Sequence, residues 1–195
     1  MRLVAISIVA LLLLPGIALA VEPLEFGLGF QGGGNIFFMR MGEVIAPDIA
    51  YGIDVVYGIL PWIALDFDLL YSEHQQADSV LIGQVQFNHL QTGIGPRFSW
   101  HTRYVVPYAT AQLGGNFFTW ENKYDRGIDR FDGSGIAGYV TLGVDFYIAD
   151  MATIGIAGKM GVCQADFEYY TTEEGLENLS TYLQLSPLVR FTLIF

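Results

Sequence analysis

The chain has 195 residues and carries nine Lys+Arg against twenty Asp+Glu, a formal net charge of −11. That balance excludes a nucleic-acid binder, because phosphate contacts need a basic surface, and the length is that of one domain. Hydrophobic residues make up 52% and aromatics 14%, with 23 glycines; such richness in Gly and aromatics points to β structure with crowded walls rather than to a helix bundle.

The first twenty residues stand apart. Arg2 gives a short positive start, Leu3 to Leu14 form an apolar run, Pro15 and Gly16 break it, and Ala18-Leu19-Ala20 closes it with small residues around a cleavage point. These are the three parts of a secretory signal peptide, so residues 1–20 are expected to be removed and the mature domain to span 21–195. An N-terminal anchor, the alternative, needs a longer apolar run. Beyond Val21 no run of about eighteen uninterrupted apolar residues remains, so no transmembrane helix is expected. Cys163 is the only cysteine, which rules out an intrachain disulfide.

The mature chain alternates with a period of two, about eight times, as half-buried strands do. Phe26, Leu28 and Phe30 start the first segment. In the second, Ile49, Tyr51, Ile53, Val55, Tyr57 and Ile59 alternate with Ala50, Gly52, Asp54, Val56 and Gly58. In the third, Ile63, Leu65, Phe67, Leu69 and Tyr71 alternate with Ala64, Asp66, Asp68, Leu70 and Ser72. Leu90, Thr92, Ile94, Pro96, Phe98 and Trp100 belong to the fourth. Phe87 and Leu90 are out of phase there, which predicts a bulge or strand end near Asn88-His89. Val105 to Phe117 reads as the fifth. The sixth carries Val140, Leu142, Val144, Phe146 and Ile148, and the seventh Ile154, Ile156, Met160 and Val162. The last runs from Leu183 to Phe195, with Pro187 predicted to mark a bulge.

Short connections fall near Leu60-Pro61-Trp62, His101-Thr102-Arg103 and Ala149-Asp150-Met151. Long polar ones fall at about 36–47, 73–83, 118–135 and 166–181. Short turns at one end and long loops at the other describe an up-and-down membrane barrel, with periplasmic turns and termini and extracellular long loops. In a soluble sandwich the polar face would be outside. Here the polar face holds many small residues (Gly52, Gly58, Ala64, Gly93, Gly95, Gly143, Gly161) that suit a narrow interior. Its charges are mixed, and Asp54, Asp66, Asp68, Arg97, Asp145, Lys159 and Arg190 are expected to form a polar network in the lumen. Asp66, Asp68 and Asp145 would neutralise Arg97, Lys159 and Arg190. Tyr57, Trp62, Tyr71, Trp100 and Tyr104 flank the apolar runs and are expected in aromatic girdles at the membrane interfaces.

The mature chain resembles the small eight-stranded outer-membrane barrels of the OmpA/OmpX/OmpW type. The most specific part is the C-terminus, Val189-Arg190-Phe191-Thr192-Leu193-Ile194-Phe195. Its alternating Phe191, Leu193 and final Phe195 resemble the terminal signal read by the barrel-assembly machinery. Arg103-Tyr104-Val105-Val106-Pro107-Tyr108, followed by Leu113-Gly114, resembles middle strands of the group. The resemblance implies an all-β, eight-stranded antiparallel transmembrane barrel in the cell outer membrane, surrounded by lipid and lipopolysaccharide. The chain is expected to be a monomer.

A barrel of this size has an interior just wide enough to be filled by side chains, so an open pore is not expected. Catalysis is not expected either. His74 lies beside Glu73 and near Asp78 on a predicted outer loop, where a carboxylate–histidine pair would resemble outer-membrane proteases, but those are longer chains. His101-Thr102-Arg103 departs from the His-x-Ser of barrel deacylases. Cys163 reads as a buried wall residue, and Asp166, Glu168, Glu173, Glu174 and Glu177 as an acidic solvated loop without the spacing of a calcium site. No cofactor or metal is therefore expected. The role read from the sequence is structural or surface interaction. The alternative is a conduit for small hydrophobic molecules, which the OmpW likeness permits and which would need an apolar outer lumen and a gap in the wall. A lipid-modifying enzyme is the third reading.

Overall fold

The computed structural model describes residues 25–39, 41–42, 45–75, 84–124, 127–171 and 175–195; the expected signal segment 1–20 lies outside them. The strands are β1 (Phe26–Phe38), β2 (Asp48–Leu60), β3 (Ile63–Gln75), β4 (Gln84–Ser99), β5 (Val105–Tyr124), β6 (Gly127–Ala149), β7 (Ala152–Thr171) and β8 (Gly175–Ile194). Each pairs with the next, and β8 pairs with β1, which closes an antiparallel barrel of eight strands. Closure pairs every strand with two neighbours, the condition for a sheet to survive in lipid.

The alternation resolves into an inverted protein. Along β6, Val140, Leu142 and Phe146 are exposed while Tyr139, Thr141 and Asp145 are buried. On β2 and β3, Ile49, Tyr51, Ile53, Leu65 and Phe67 face out, and Asp54, Asp66, Asp68 and Ser72 face in. A continuous apolar outer surface of this extent far exceeds the patches of a few hundred Å² that soluble monomers show. The soluble-sandwich alternative is therefore set aside.

The short connections sit at one rim, between Leu60 and Ile63, Ser99 and Val105, and Ala149 and Ala152. The walls are unequal at the other rim. Strands β1, β2 and β3 have 13 residues each, close to the about 9–11 that a tilted strand needs to cross a bilayer. β5 to β8 have 20, 23, 20 and 20. The expected loops at 118–135 and 166–181 are thus mostly strand: β5 and β6 stay paired up to Tyr124↔Gly127, and β7 and β8 up to Thr171↔Gly175. The fifth strand likewise runs past Phe117.

Two expected bulges are absent. Pairing of β3 with β4 runs without a shift through Ser72↔His89 and Glu73↔Asn88. Phe87 breaks the apolar phase because it points inward, fully buried. Pro187 does not shift the register either. The β1–β8 ladder runs from Gly27↔Ile194 to Gly33↔Leu188 and resumes in the same register at Ile36↔Leu185. Pro187 has no N–H to donate, so the ladder skips the Gly34 and Asn35 positions instead of bulging. Pro96 has the same effect between Ile94↔Leu113 and Arg97↔Thr110, near the short-turn rim.

Candidate functional site

The interior is filled in layers. Nearest the short turns, Arg97 Nη2 donates to Asp145 Oδ2 at 2.6 Å, and its Nη1 lies 3.6 Å from Asp66 Oδ2. Arg97 also stacks over the Tyr108 ring, 3.7 Å from its centroid. Arg190 donates to Asp54 and to the Tyr108 hydroxyl. Lys159 Nζ donates to Asp68 Oδ1 at 2.6 Å and lies 4.1 Å from the Tyr139 ring centroid. Gln112 Nε2 donates to Asp66 Oδ1 at 2.9 Å. All seven residues expected in the lumen are buried there. Lys159 with Asp68, and Arg97 with Asp66 and Asp145, fall within the expected set of pairs; Arg190 departs from it and is matched by Asp54. Neighbouring small residues make this packing possible. The Tyr108 ring lies over Gly143, and a Cβ on Gly161 would sit 2.8 Å from the Tyr139 ring.

Above the ion pairs is a neutral hydrogen-bond chain that the sequence reading missed. His74 Nδ1 is 2.9 Å from the Ala46 carbonyl, an acceptor only, so Nδ1 carries the proton and Nε2 accepts from Ser72 Oγ at 2.8 Å. Asn35 Nδ2 donates to Ser72 Oγ and to His89 Nδ1. His89 Nε2 therefore donates to Asn116 Oδ1 at 2.9 Å, which also accepts from Tyr139 at 2.7 Å. These roles follow from the donor and acceptor capacity of each partner. His74 is buried, and Glu73, on the opposite face, accepts from Tyr71 at 3.1 Å. His74 and Glu73 thus form no carboxylate–histidine pair; Asp78 lies outside the described residues. Parity held the missing signal: His74, His89, Gln91, Asn116 and Gln184 all fall on the polar phase of their strands.

Toward the long-strand rim the interior turns apolar. Phe37, Met41, Ile45, Phe87, Phe118, Trp120 and Tyr182 form one buried cluster, with His89 stacked on Phe118 at 4.9 Å. Cys163 is buried against it and faces Gln184. At the short-turn end a cavity of about 50 Å³ lies beside Arg97, Asp145 and His101. Within the ion-pair layer the space is about 10 Å³, no more than one water needs. Among the described residues no group of His, Cys, Asp and Glu is arranged to hold a metal ion. Asp166, Glu168 and Glu177 belong to strands, and Glu173 and Glu174 lie outside the described residues.

The outward aromatics fall at two levels. Tyr57, Trp62, Trp100 and Tyr104 are exposed at the short-turn rim, with Trp62 stacked on Phe98. Tyr71 packs edge-on against Tyr51 nearer the other end of β3. Trp62 and Tyr71 are separated by about 30 Å along the strand; a tilt of about 45° brings this near 20 Å, comparable to the about 25 Å apolar band of such barrels. Phe191 is exposed on the outer face of β8, Leu193 follows at the same parity, and Phe195 is exposed just past the end of the strand. The Phe195 backbone bonds to Phe26 in both directions, at 2.8 and 3.2 Å.

No family model matches the chain, and no curated protein matches it. Solved structures do. Neisserial surface protein A is 12% identical with a TM-score of 0.60, over 87% of this chain and 96% of that one. Ail, the attachment invasion locus protein of Yersinia pestis, in complex with the heparin analogue sucrose octasulfate, is 11% identical with a TM-score of 0.61, over 89% and 100%. The outer membrane protein AlkL is 12% identical with a TM-score of 0.55, over 93% and 94%. At these identities the likeness is one of fold. The fold is that of the small eight-stranded outer-membrane β-barrels of the OmpA/OmpX/OmpW type.

Proposed function

We propose that the protein is an outer-membrane scaffold for surface interaction: a closed, non-conducting barrel that carries a tall β wall outside the bilayer. The observation that carries this reading is the length of β5 to β8, from 20 to 23 residues, about twice what a membrane crossing takes. Short turns belong to the periplasmic side and long extensions to the outside, so the surplus strand faces the medium. The ion pairs that fill the lumen support the closed state. Phe191, Leu193 and Phe195, at the end of the closing strand, serve as the assembly signal. Lipopolysaccharide surrounds the outer half. Ail is known with a bound heparin analogue, but a chain of net charge −11 does not favour a polyanion.

The test has two parts. Reconstituted protein should add no ion conductance to a planar bilayer, and protease added to intact cells should cut within 118–135 or 166–181. A steady conductance would remove the closed scaffold, and full protection of both segments would remove the external wall.

A second reading, a conduit for small hydrophobic molecules, draws on two observations. The outer lumen is apolar, and the β1–β8 ladder is interrupted opposite Pro187. Faster uptake of a hydrophobic dye by liposomes containing the protein, relative to empty ones, would favour it.

A further inference from the structure

Strands β6 and β7 pair from Ala149↔Ala152 up to Gly135↔Ala165, and there their ladder ends. Both strands continue. β6 extends to Gly127 and is paired on its other side with β5 throughout. β7 extends to Thr171 and is paired on its other side with β8. The parting has a local cause. The β7–β8 register shifts between Gln164↔Thr181 and Phe167↔Leu179, so β7 spends one residue more than β8 over that interval. The extra residue lies at Ala165-Asp166, where the β6–β7 ladder stops. A bulge bends and twists the strand that carries it, and here it coincides with the end of the β6–β7 ladder. Two strand edges, at 127–134 and 166–171, lie beyond the end of the ladder, and among the described residues no strand pairs with their facing backbone N–H and C=O groups. Such rows are templates for another strand.

We propose that this gap is a docking cleft for an extended segment of a protein partner, which adds as a β-strand between β6 and β7. The inference rests on the surface-scaffold reading and names its partner class. Strand addition draws its affinity from main-chain hydrogen bonds, and a strand placed here completes the ladder on both sides. The chemistry of the borders sets the partner's charge. Segments 127–134 and 166–171 contain four acidic residues, Asp129, Asp132, Asp166 and Glu168, and one basic residue, Arg130, which lies 3.3 Å from Asp132. The incoming strand is therefore basic.

The probe is a strand-length peptide alternating Val and Lys, beside a twin of the same side chains with N-methylated backbone amides. Both are added to the full protein in lipid nanodiscs, with hydrogen exchange followed by mass spectrometry. The cleft predicts that the first peptide slows exchange in both 127–134 and 166–171, and that the methylated twin does neither. Equal effects of the two peptides would reduce the contact to charge and overturn strand addition, as would the absence of protection by either. Deleting Asp166 removes the bulge and should slow exchange at 127–134 without peptide and abolish the peptide effect. Unchanged exchange and unchanged binding in that variant would also overturn the cleft. The methylated twin keeps the test independent of whether the deletion folds. If the peptide fails while protease still reaches both segments on intact cells, the cleft falls and the scaffold stands; if protease cannot reach them, the scaffold itself falls.

Discussion

Lys159 Nζ and Asp68 Oδ1 meet at 2.6 Å across the lumen and tie β7 to β3, which are not neighbours in the sheet. The ammonium is almost wholly shielded, and it lies over the Tyr139 ring as well. Removing it strands a buried carboxylate. Lys159→Met should cost about 3–5 kcal/mol of stability, the usual penalty for breaking a buried pair from one side. Lys159→Met with Asp68→Leu should recover much of that loss. Urea unfolding in lipid vesicles measures both. A single variant as stable as the parent would mean that water or lipid ions reach Asp68.

Leu142 tests the outer face. It is 63% exposed, in the half of β6 nearer the short turns, between Thr141 and Gly143, which face inward. Leu142→Arg should destabilise insertion by about 2–4 kcal/mol if the site is near the bilayer midplane. Unchanged stability would mean that this face does not contact lipid.

Glycines separate the two faces by space alone. A Cβ at Gly161 meets the Tyr139 ring at 2.8 Å, whereas at Gly158 nothing lies within 4 Å. Gly161→Val should lose about 1–3 kcal/mol through overpacking. Gly158→Val, on the lipid side of the same strand, should leave the unfolding midpoint nearly unchanged. The reverse order would contradict the assignment of faces.

The C-terminus tests biogenesis. Phe195 bonds to Phe26 through the backbone at the seam that closes the barrel. Deleting Phe195 should leave unassembled, protease-sensitive chain in the periplasm. Normal assembly, read by fractionation and protease digestion, would remove its role as a signal.

The parts of the fold legible in the sequence are those where the two faces meet different surroundings. Ile49 to Ile59 and Val140 to Ile148 alternate cleanly because one side meets lipid and the other a polar lumen. The alternation fades where both sides differ less. At Phe87 and Phe118 the interior itself becomes apolar, so an inward Phe looks like a phase error. Beyond Phe117 and Ala165 polar residues break the apolar phase, so these strands read as loops. The charged side chains of the interior were visible by parity, but their partners were not. Asp54 with Arg190 joins residues far apart in sequence, and only the register and shear of the closed sheet bring them together. The chain of His74, Ser72, Asn35 and His89 was hidden because the His74 position looked like a solvated loop beside Glu73.

The most direct test of the central claim, a closed barrel in the outer membrane, is gel mobility. Protein extracted from the outer-membrane fraction in mild detergent is run with and without boiling. The closed, hydrogen-bonded wall predicts that the unheated protein stays folded and runs at a different position from the boiled one. A single mobility under both conditions, with the protein recovered as a soluble periplasmic species, would contradict the barrel and place the apolar face inside.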